Sequence, residues 1–269
     1  MSEVFGEATA VEPAGDGLWT ARCSDSWSVP RGANGGYLAA IVVRAIEGEV
    51  ADPGRRFRSL TLHYLRSPSN GPVEISVTVE RQGRTLTSVT ARLAQDGKDC
   101  VLAIGALAGD FGSPLAFSPP MPEVQPASAI EPWPVVDAMP PAAQRVEMRP
   151  AIGGEPFSGA EEAYTGGWLR LREPHPYDAA LLAFLSDVWM PPTLTTMLVD
   201  PVGVPTIDLT IHFRNPQAAL ETSPEEPVLG VYESQLAAGS FVEETGEIWS
   251  PQGVLLVQLR QLAAILPAR

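Results

Sequence analysis

Histidine, cysteine and lysine are nearly missing from this chain. Its 269 residues include three histidines, two cysteines and a single lysine, Lys98. Cys23 and Cys100 are too few for a disulfide scaffold or a thiolate metal site, and they suit a reducing compartment. His63, His175 and His212 form no HExxH pair, so no zinc site is expected. The phosphate loop GxxxxGK[ST], the nucleophile elbow GxSxG and the CxxC motif are absent as well. The run Gly32-Ala33-Asn34-Gly35-Gly36 opens a helical pattern, but it is not GxGxxG and no Rossmann order surrounds it. No metal and no cofactor are expected, which leaves carboxylates, hydroxyls, amides and backbone groups to carry any chemistry.

Net positive charge is lacking too: the formal charge is −14. Such a field repels phosphate, which excludes general binding of nucleic acid or of an anionic membrane surface while permitting a local arginine pocket. The longest apolar runs, such as Leu38–Val43, fall far short of the about 20 residues a membrane span needs. The opening MSEVFGEATAVEPAGDG has no basic region followed by an apolar one, so no signal peptide is expected and the location is read as cytoplasmic. Arginine in place of lysine, with many alanines and prolines, points to a GC-rich bacterial genome.

What is present suffices for a core. Hydrophobic residues make up 45% of the chain, enough for one large domain or two ordinary ones. Nine prolines fall between Asp110 and Arg145. No strand or helix period survives there, so this stretch reads as an extended linker. It divides the chain into 1–112, a linker 113–143, and 144–269.

Each part shows the same element order. In the first, strands at Ala8–Val11 and Gly17–Cys23 precede a helix apolar on nearly every side from Tyr37 to Ile46, which must be buried. Alternating runs follow at Ser59–Leu65, Val73–Arg81, Thr85–Leu93 and Cys100–Ala108, the pattern of antiparallel strands. In the second, strands at Gln144–Met148 and Ala163–Arg172 precede a helix over Tyr177–Trp189. Strands at Pro205–Phe213, Val228–Leu236, Phe241–Trp249 and Val254–Leu266 complete it. Leu60-Thr61-Leu62-His63-Tyr64 matches Leu209-Thr210-Ile211-His212-Phe213, with Pro68 and Pro216 after each. The order implies a helix packed on an antiparallel sheet, done twice, with the two sheets able to join edge to edge. His63 and His212 occupy equivalent strand positions, which favours a structural role for both.

These residues resemble the hotdog-fold thioesterases, and among them the double-hotdog acyl-CoA thioesterase II family. The resemblance spans nearly the whole chain. It rests on Trp27 with Asn34-Gly35-Gly36-Tyr37-Leu38, on Leu60–Pro68, and on Arg81-Gln82-Gly83-Arg84. In the second half it rests on Leu185-Ser186-Asp187 with Pro191, on Thr206-Ile207-Asp208 with His212-Phe213-Arg214 and Pro216, and on Gly253-Val254-Leu255 with Gln261. It implies an α+β double hotdog that hydrolyses acyl-CoA, with an Asp, a Thr and a Gln positioning water. Those residues match Asp187, Thr206 and Gln261. Two features depart from the family: Val188-Trp189-Met190-Pro191-Pro192 after the Asp, and Asn34 where a histidine is common.

The residues support the match on their own terms. Asp187 ends an apolar helix, where an unpaired charge is costly and burial raises its pKa toward a general base. The other reading is a solvent-exposed carboxylate at a helix end. Asp208, on the strand of Thr206, is a competing carboxylate, and Gln258 is a rival for Gln261. Asn34, Gly35 and Gly36 are read as the oxyanion and substrate-binding set, with Asn34 as the helix cap and an N–H near Gly36 facing the thioester carbonyl. Arg55, Arg56 and Arg58, or Arg81 and Arg84, are candidates for the CoA phosphates. A hotdog hydratase would need an Asp followed five residues later by His, which is lacking. A non-catalytic acyl-thioester or lipid binder on the same scaffold is the alternative reading. A homo-oligomer is compatible with unpaired sheet edges.

Overall fold

The structure is a computed structural model that describes residues 3–112, 115–198 and 203–266. The first half holds α1 (Phe5–Ala8), β1 (Val11–Gly15), β2 (Leu18–Cys23), β3 (Ser28–Val29), β4 (Gly32–Ala33), α2 (Gly35–Val50), β5 (Arg56–Tyr64), β6 (Gly71–Gln82), β7 (Leu86–Gln95) and β8 (Lys98–Ala108). The second holds α3 (Pro141–Gln144), β9 (Val146–Gly153), β10 (Ala163–Leu171), α4 (Ala179–Leu185), β11 (Thr206–Phe213), α5 (Pro216–Glu221), β12 (Val228–Ser234), β13 (Ala237–Ala238), β14 (Phe241–Trp249) and β15 (Leu255–Ala264).

One antiparallel sheet runs through both halves in the order β1-β2-β6-β7-β8-β5-β11-β15-β14-β12-β10-β9. Read outward from the centre, each half repeats one strand order. The fold is the double hotdog. Its halves join at β5 and β11, where Thr61 lies opposite Thr210 in the register. These are equivalent residues of the Leu-Thr-x-His-aromatic repeat, so they mark a pseudo-two-fold axis, and their hydroxyls meet at 3.0 Å. Leu60, Leu62, Leu209 and Ile211 point into the core, and the alternating His63 and His212 are exposed.

The buried layer is α2 with α4. Alternation explains the sheet side of it: Val73, Ile75 and Val77 on β6 are buried, and the residues between them are exposed. Helix α2 buries ten of its residues, because it packs against α4 on one side and β6 and β7 on another. Asn34 caps it by accepting the Tyr37 N–H at 2.9 Å. This matches the helix placed by sequence, extended to Val50.

Several boundaries differ from the sequence reading. The start of the chain forms the short helix α1, and the first strand begins only at Val11. The second helix stops at Leu185 instead of Trp189. There the Ser186 hydroxyl donates to the Leu182 carbonyl at 2.8 Å and turns the chain. Strand β9 begins at Val146, because Pro141–Gln144 forms α3 with prolines at its start, where a missing N–H does no harm.

The proline-rich stretch lies against the second half. Met121, Val124, Ala127 and Ile130 pack on a small apolar cluster of Trp168, Leu229, Trp249 and Leu255. A stretch without ladder partners needs side chains to meet its carbonyls. Trp168 Nε1 donates to Gln125 O at 2.8 Å, and Arg149 Nη1 donates to Ile130 O at 2.6 Å.

Candidate active site

The site forms where the start of α2 meets the end of α4. An ideal Cβ on Gly36 would lie 2.7 Å from the Phe184 carbonyl oxygen and 2.9 Å from that of Ala183. Only glycine permits that approach. Gly36 stands here for want of space, since its φ is not in the left-handed region. The contact carries Asp187, two residues past the end of α4, to the amino end of α2. Bare N–H groups and the positive end of the helix dipole favour a carboxylate at that place.

Asp187 Oδ2 accepts the Gly36 N–H at 2.9 Å and Asn34 Nδ2 at 3.1 Å. Asn34 Nδ2 also donates to the Asp187 carbonyl at 2.9 Å. The Gly36 N–H, expected from the sequence to face a thioester carbonyl, is therefore committed to the carboxylate instead. Tyr64 closes the same corner by donating its hydroxyl to Gly35 O at 2.9 Å. Oδ2 is thus occupied twice, and Oδ1 faces Thr206, which in turn holds Gln261.

A β-bulge aims Thr206. Thr206 pairs with Ala263 and Asp208 with Leu262, so Ile207 is the extra residue. Without the bulge Thr206 and Asp208 would share one face. With it, Thr206 turns inward. Its Oγ1 donates to Gln261 Oε1 at 2.9 Å and stands 3.5 Å from Asp187 Oδ1. Asp208 lies opposite His63 and makes neither contact. The same alternation separates the two glutamines. Gln261 is buried, and Gln258 turns to the other face and donates to Glu247 at 3.2 Å.

Burial raises the Asp187 pKa to about 6, against the opposing effect of the hydrogen bonds from Gly36, Gly35 and Asn34 and of the Thr206 hydroxyl nearby. The residue as a whole is half-buried. A second buried carboxyl, Glu244, sits on β14 directly across from Gln261. Burial pushes it to about 8, opposed by a hydrogen bond from Gln261 and reinforced by the charge of Asp187. Sequence reasoning does not single out Glu244, although a signal for it exists. Val242, Glu244, Gly246 and Ile248 form the inward set of an alternating strand.

Two family models match the chain: the acyl-CoA thioesterase N-terminal domain over residues 23–108 and the acyl-CoA thioesterase C-terminal domain over residues 118–265. The chain belongs to the acyl-CoA thioesterase family. Among solved structures, a conserved hot dog fold protein of unknown function from Alicyclobacillus acidocaldarius matches with a TM-score of 0.91 at 25% identity, over 100% of each chain. A protein from Thermobifida fusca, described as a candidate thioesterase II, matches with a TM-score of 0.80 at 25% identity over 97% of each chain. The tesB protein of Mycobacterium avium subspecies paratuberculosis shares the fold, with a TM-score of 0.80 at 19% identity over 98% of each chain. No curated protein matches this one.

The thioesterase chain does not place the arginines named from the sequence beside this site. Arg55, Arg56 and Arg58 lie past the far end of α2, about 24 Å along a helix of this length from Gly36. Arg55 is held there by Asp52 at 3.0 Å, Thr87 at 2.7 Å and the Gly83 carbonyl at 2.6 Å. That last contact, with a further one to the Arg84 carbonyl, puts Gly83 and Arg84 at the same end. Arg31, in the exposed turn between β3 and β4, lies over Gly203, three residues before Thr206. Among the described residues no helix is long and apolar enough to cross a membrane.

Proposed function

We propose that this thioesterase hydrolyses acyl-CoA to the free acid and CoA, with Asp187 as general base. The observation that carries this reading is the division of labour between the two Asp187 oxygens. Oδ2 is held by Gly36 and Asn34, and Oδ1 is left facing the Thr206 hydroxyl. A water between Oδ1 and Thr206 Oγ1 gives one proton to each as hydrogen-bond donor and turns a lone pair toward the thioester carbon. Attack forms the C–O bond while Oδ1 takes the proton. The C–S bond then breaks, and the thiolate of CoA leaves with that proton. Positioned general-base catalysis of this kind contributes about 10²- to 10⁴-fold.

The N–H groups at the start of α2 serve the base in this scheme. They hold Asp187 ionised and oriented, which is what a carboxylate surrounded by apolar helix needs. Arg31 supplies the local positive charge that an acidic protein needs to receive CoA phosphates. The buried free thiols of Cys23 and Cys100 support a cytoplasmic setting. The test is release of free thiol from a panel of acyl-CoAs of different chain length. Turnover supports the reading. Saturable binding of the acyl chain without thiol release would favour a binder instead.

A further inference from the structure

Glu244 has no part in the reaction just described, yet it is buried beside the site. It is 8% exposed, and it faces Gln261, which is 7% exposed, directly across the β14–β15 ladder. Glu243 beside it faces the other way, toward the Gln235 N–H and Arg260. Tyr232 on β12 adds no cation, since its hydroxyl donates to the Leu185 carbonyl at 2.9 Å. The charged groups that act on Glu244 are thus Asp187 and Glu243, both acidic, and among the described residues no basic group offsets them. An isolated buried carboxyl is costly where a leucine would fill the same space.

We propose that Glu244 is a positioning residue that sets the direction of the hydrogen bonds from Gln261 through Thr206 to the attacking water. This rests on the hydrolase reading above. A primary amide has an acceptor end and a donor end. The acceptor end of Gln261 takes the Thr206 proton at 2.9 Å, so its NH2 end faces Glu244. Above about pH 8 Glu244 is ionised; a carboxylate accepts and never donates, and it then pins the amide in that sense. Thr206 has one proton and gives it to Gln261. Its oxygen stays an acceptor for water, and Asp187 Oδ1 stays free. Were the amide turned over, its NH2 would donate to Thr206. The Thr206 proton would then go to Asp187 Oδ1, 3.5 Å away, and cap the base.

The test compares the full-length wild type with Glu244→Gln, Glu244→Leu, Gln261→Leu and the Glu244→Leu/Gln261→Leu double variant. Melting curves establish folding. At about pH 9, where wild-type Glu244 is ionised, Glu244→Leu lowers kcat on the order of tenfold, the scale on which partners of reacting groups act, with KM within about twofold of wild type. The double variant has the kcat of Gln261→Leu alone, because Glu244 acts through Gln261. Full kcat in Glu244→Leu, or losses that multiply in the double variant, would overturn the proposal. If Glu244→Leu fails to fold, the isosteric Glu244→Gln carries the test through the Gln261 side-chain NH2, read by NMR hydrogen exchange. Slow exchange in wild type that becomes about tenfold faster in Glu244→Gln supports the pinning, and an unprotected NH2 in wild type overturns it. A wild type that releases no thiol from any acyl-CoA refutes the hydrolase reading, and the exchange measurement still decides whether Glu244 pins the amide.

Discussion

Thr206 gives its proton to Gln261 at 2.9 Å and stands 3.5 Å from Asp187 Oδ1. The longer distance is the informative one. A tight Thr206–Asp187 bond would close the carboxylate, and a looser one leaves an oxygen pair that water can bridge. Residues from both halves build this arrangement, since the other Asp187 oxygen is held by Gly36 and Asn34.

The first prediction concerns pH and rate. Asp187 must be ionised to accept a proton, and burial raises its pKa to about 6. The kcat/KM for acyl-CoA should therefore rise through about pH 6 and fall about tenfold per unit well below it. A profile that stays flat between about pH 4.5 and about pH 7 would count against Asp187 as the base.

Stability should run the opposite way. A carboxyl whose folded pKa lies above its unfolded value binds its proton more tightly in the native state. Its contribution is fully present below the unfolded value of 3.8 and is lost as pH rises through about 6. Asp187→Asn mimics the protonated form, so at pH 7 it should stabilise the protein by roughly 2–3 kcal/mol, several degrees in Tm. The gain should vanish at about pH 3.5. Melting curves at both pH values check this, and a lower Tm for the variant at neutral pH would contradict it.

Gly36→Ala should damage packing and activity together. The added methyl meets the Phe184 and Ala183 carbonyls and the Asp187 Cβ at 3.0 Å or less. Overpacking of this kind costs roughly 1–3 kcal/mol, more than the helix preference of alanine returns. Stability in urea and the thiol-release rate should fall in step. Wild-type values in both would show that the helices have room to part.

The bulge makes a sharp distinction between neighbours. Thr206→Val and Gln261→Leu should each reduce kcat by about 10²-fold, and Gln258→Leu and Asp208→Asn should leave it unchanged. Steady-state kinetics on the four variants test this. Loss of activity in Gln258→Leu with Gln261→Leu intact would reverse the assignment.

Arg31 and Arg55 should behave differently toward substrate. Removing an exposed cation beside the site, Arg31→Ala, should raise KM for acyl-CoA about fivefold with kcat unchanged. Arg55→Ala should leave KM alone and lower Tm, because it unties contacts to Asp52, Thr87 and Gly83. A KM effect from Arg55 alone would return CoA binding to the far end of α2.

Much of this architecture is legible in the amino-acid sequence. Period-two runs and the Leu-Thr-x-His-aromatic repeat point to the two sheets and their junction, because alternation reports burial directly. The family resemblance names Asp187, Thr206 and Gln261, which converge. The parts that stay hidden share a cause. Thr206 faces Asp187 through a one-residue bulge, and a bulge reverses every inference from alternation beyond it. Sequence alone makes Gly36 a donor to substrate, because the carboxylate that takes its N–H lies 151 residues away along the chain. Arg31 sits over Gly203 through a contact between the two halves, which spacing along one chain cannot reveal.

The most direct measurement is free-thiol release from acyl-CoA at pH 8 by folded wild type and folded Asp187→Asn. With Asp187 as the base, the wild type turns over and the variant loses about 10²-fold or more in kcat, with Tm equal or higher. Equal turnover by the two proteins would contradict that role.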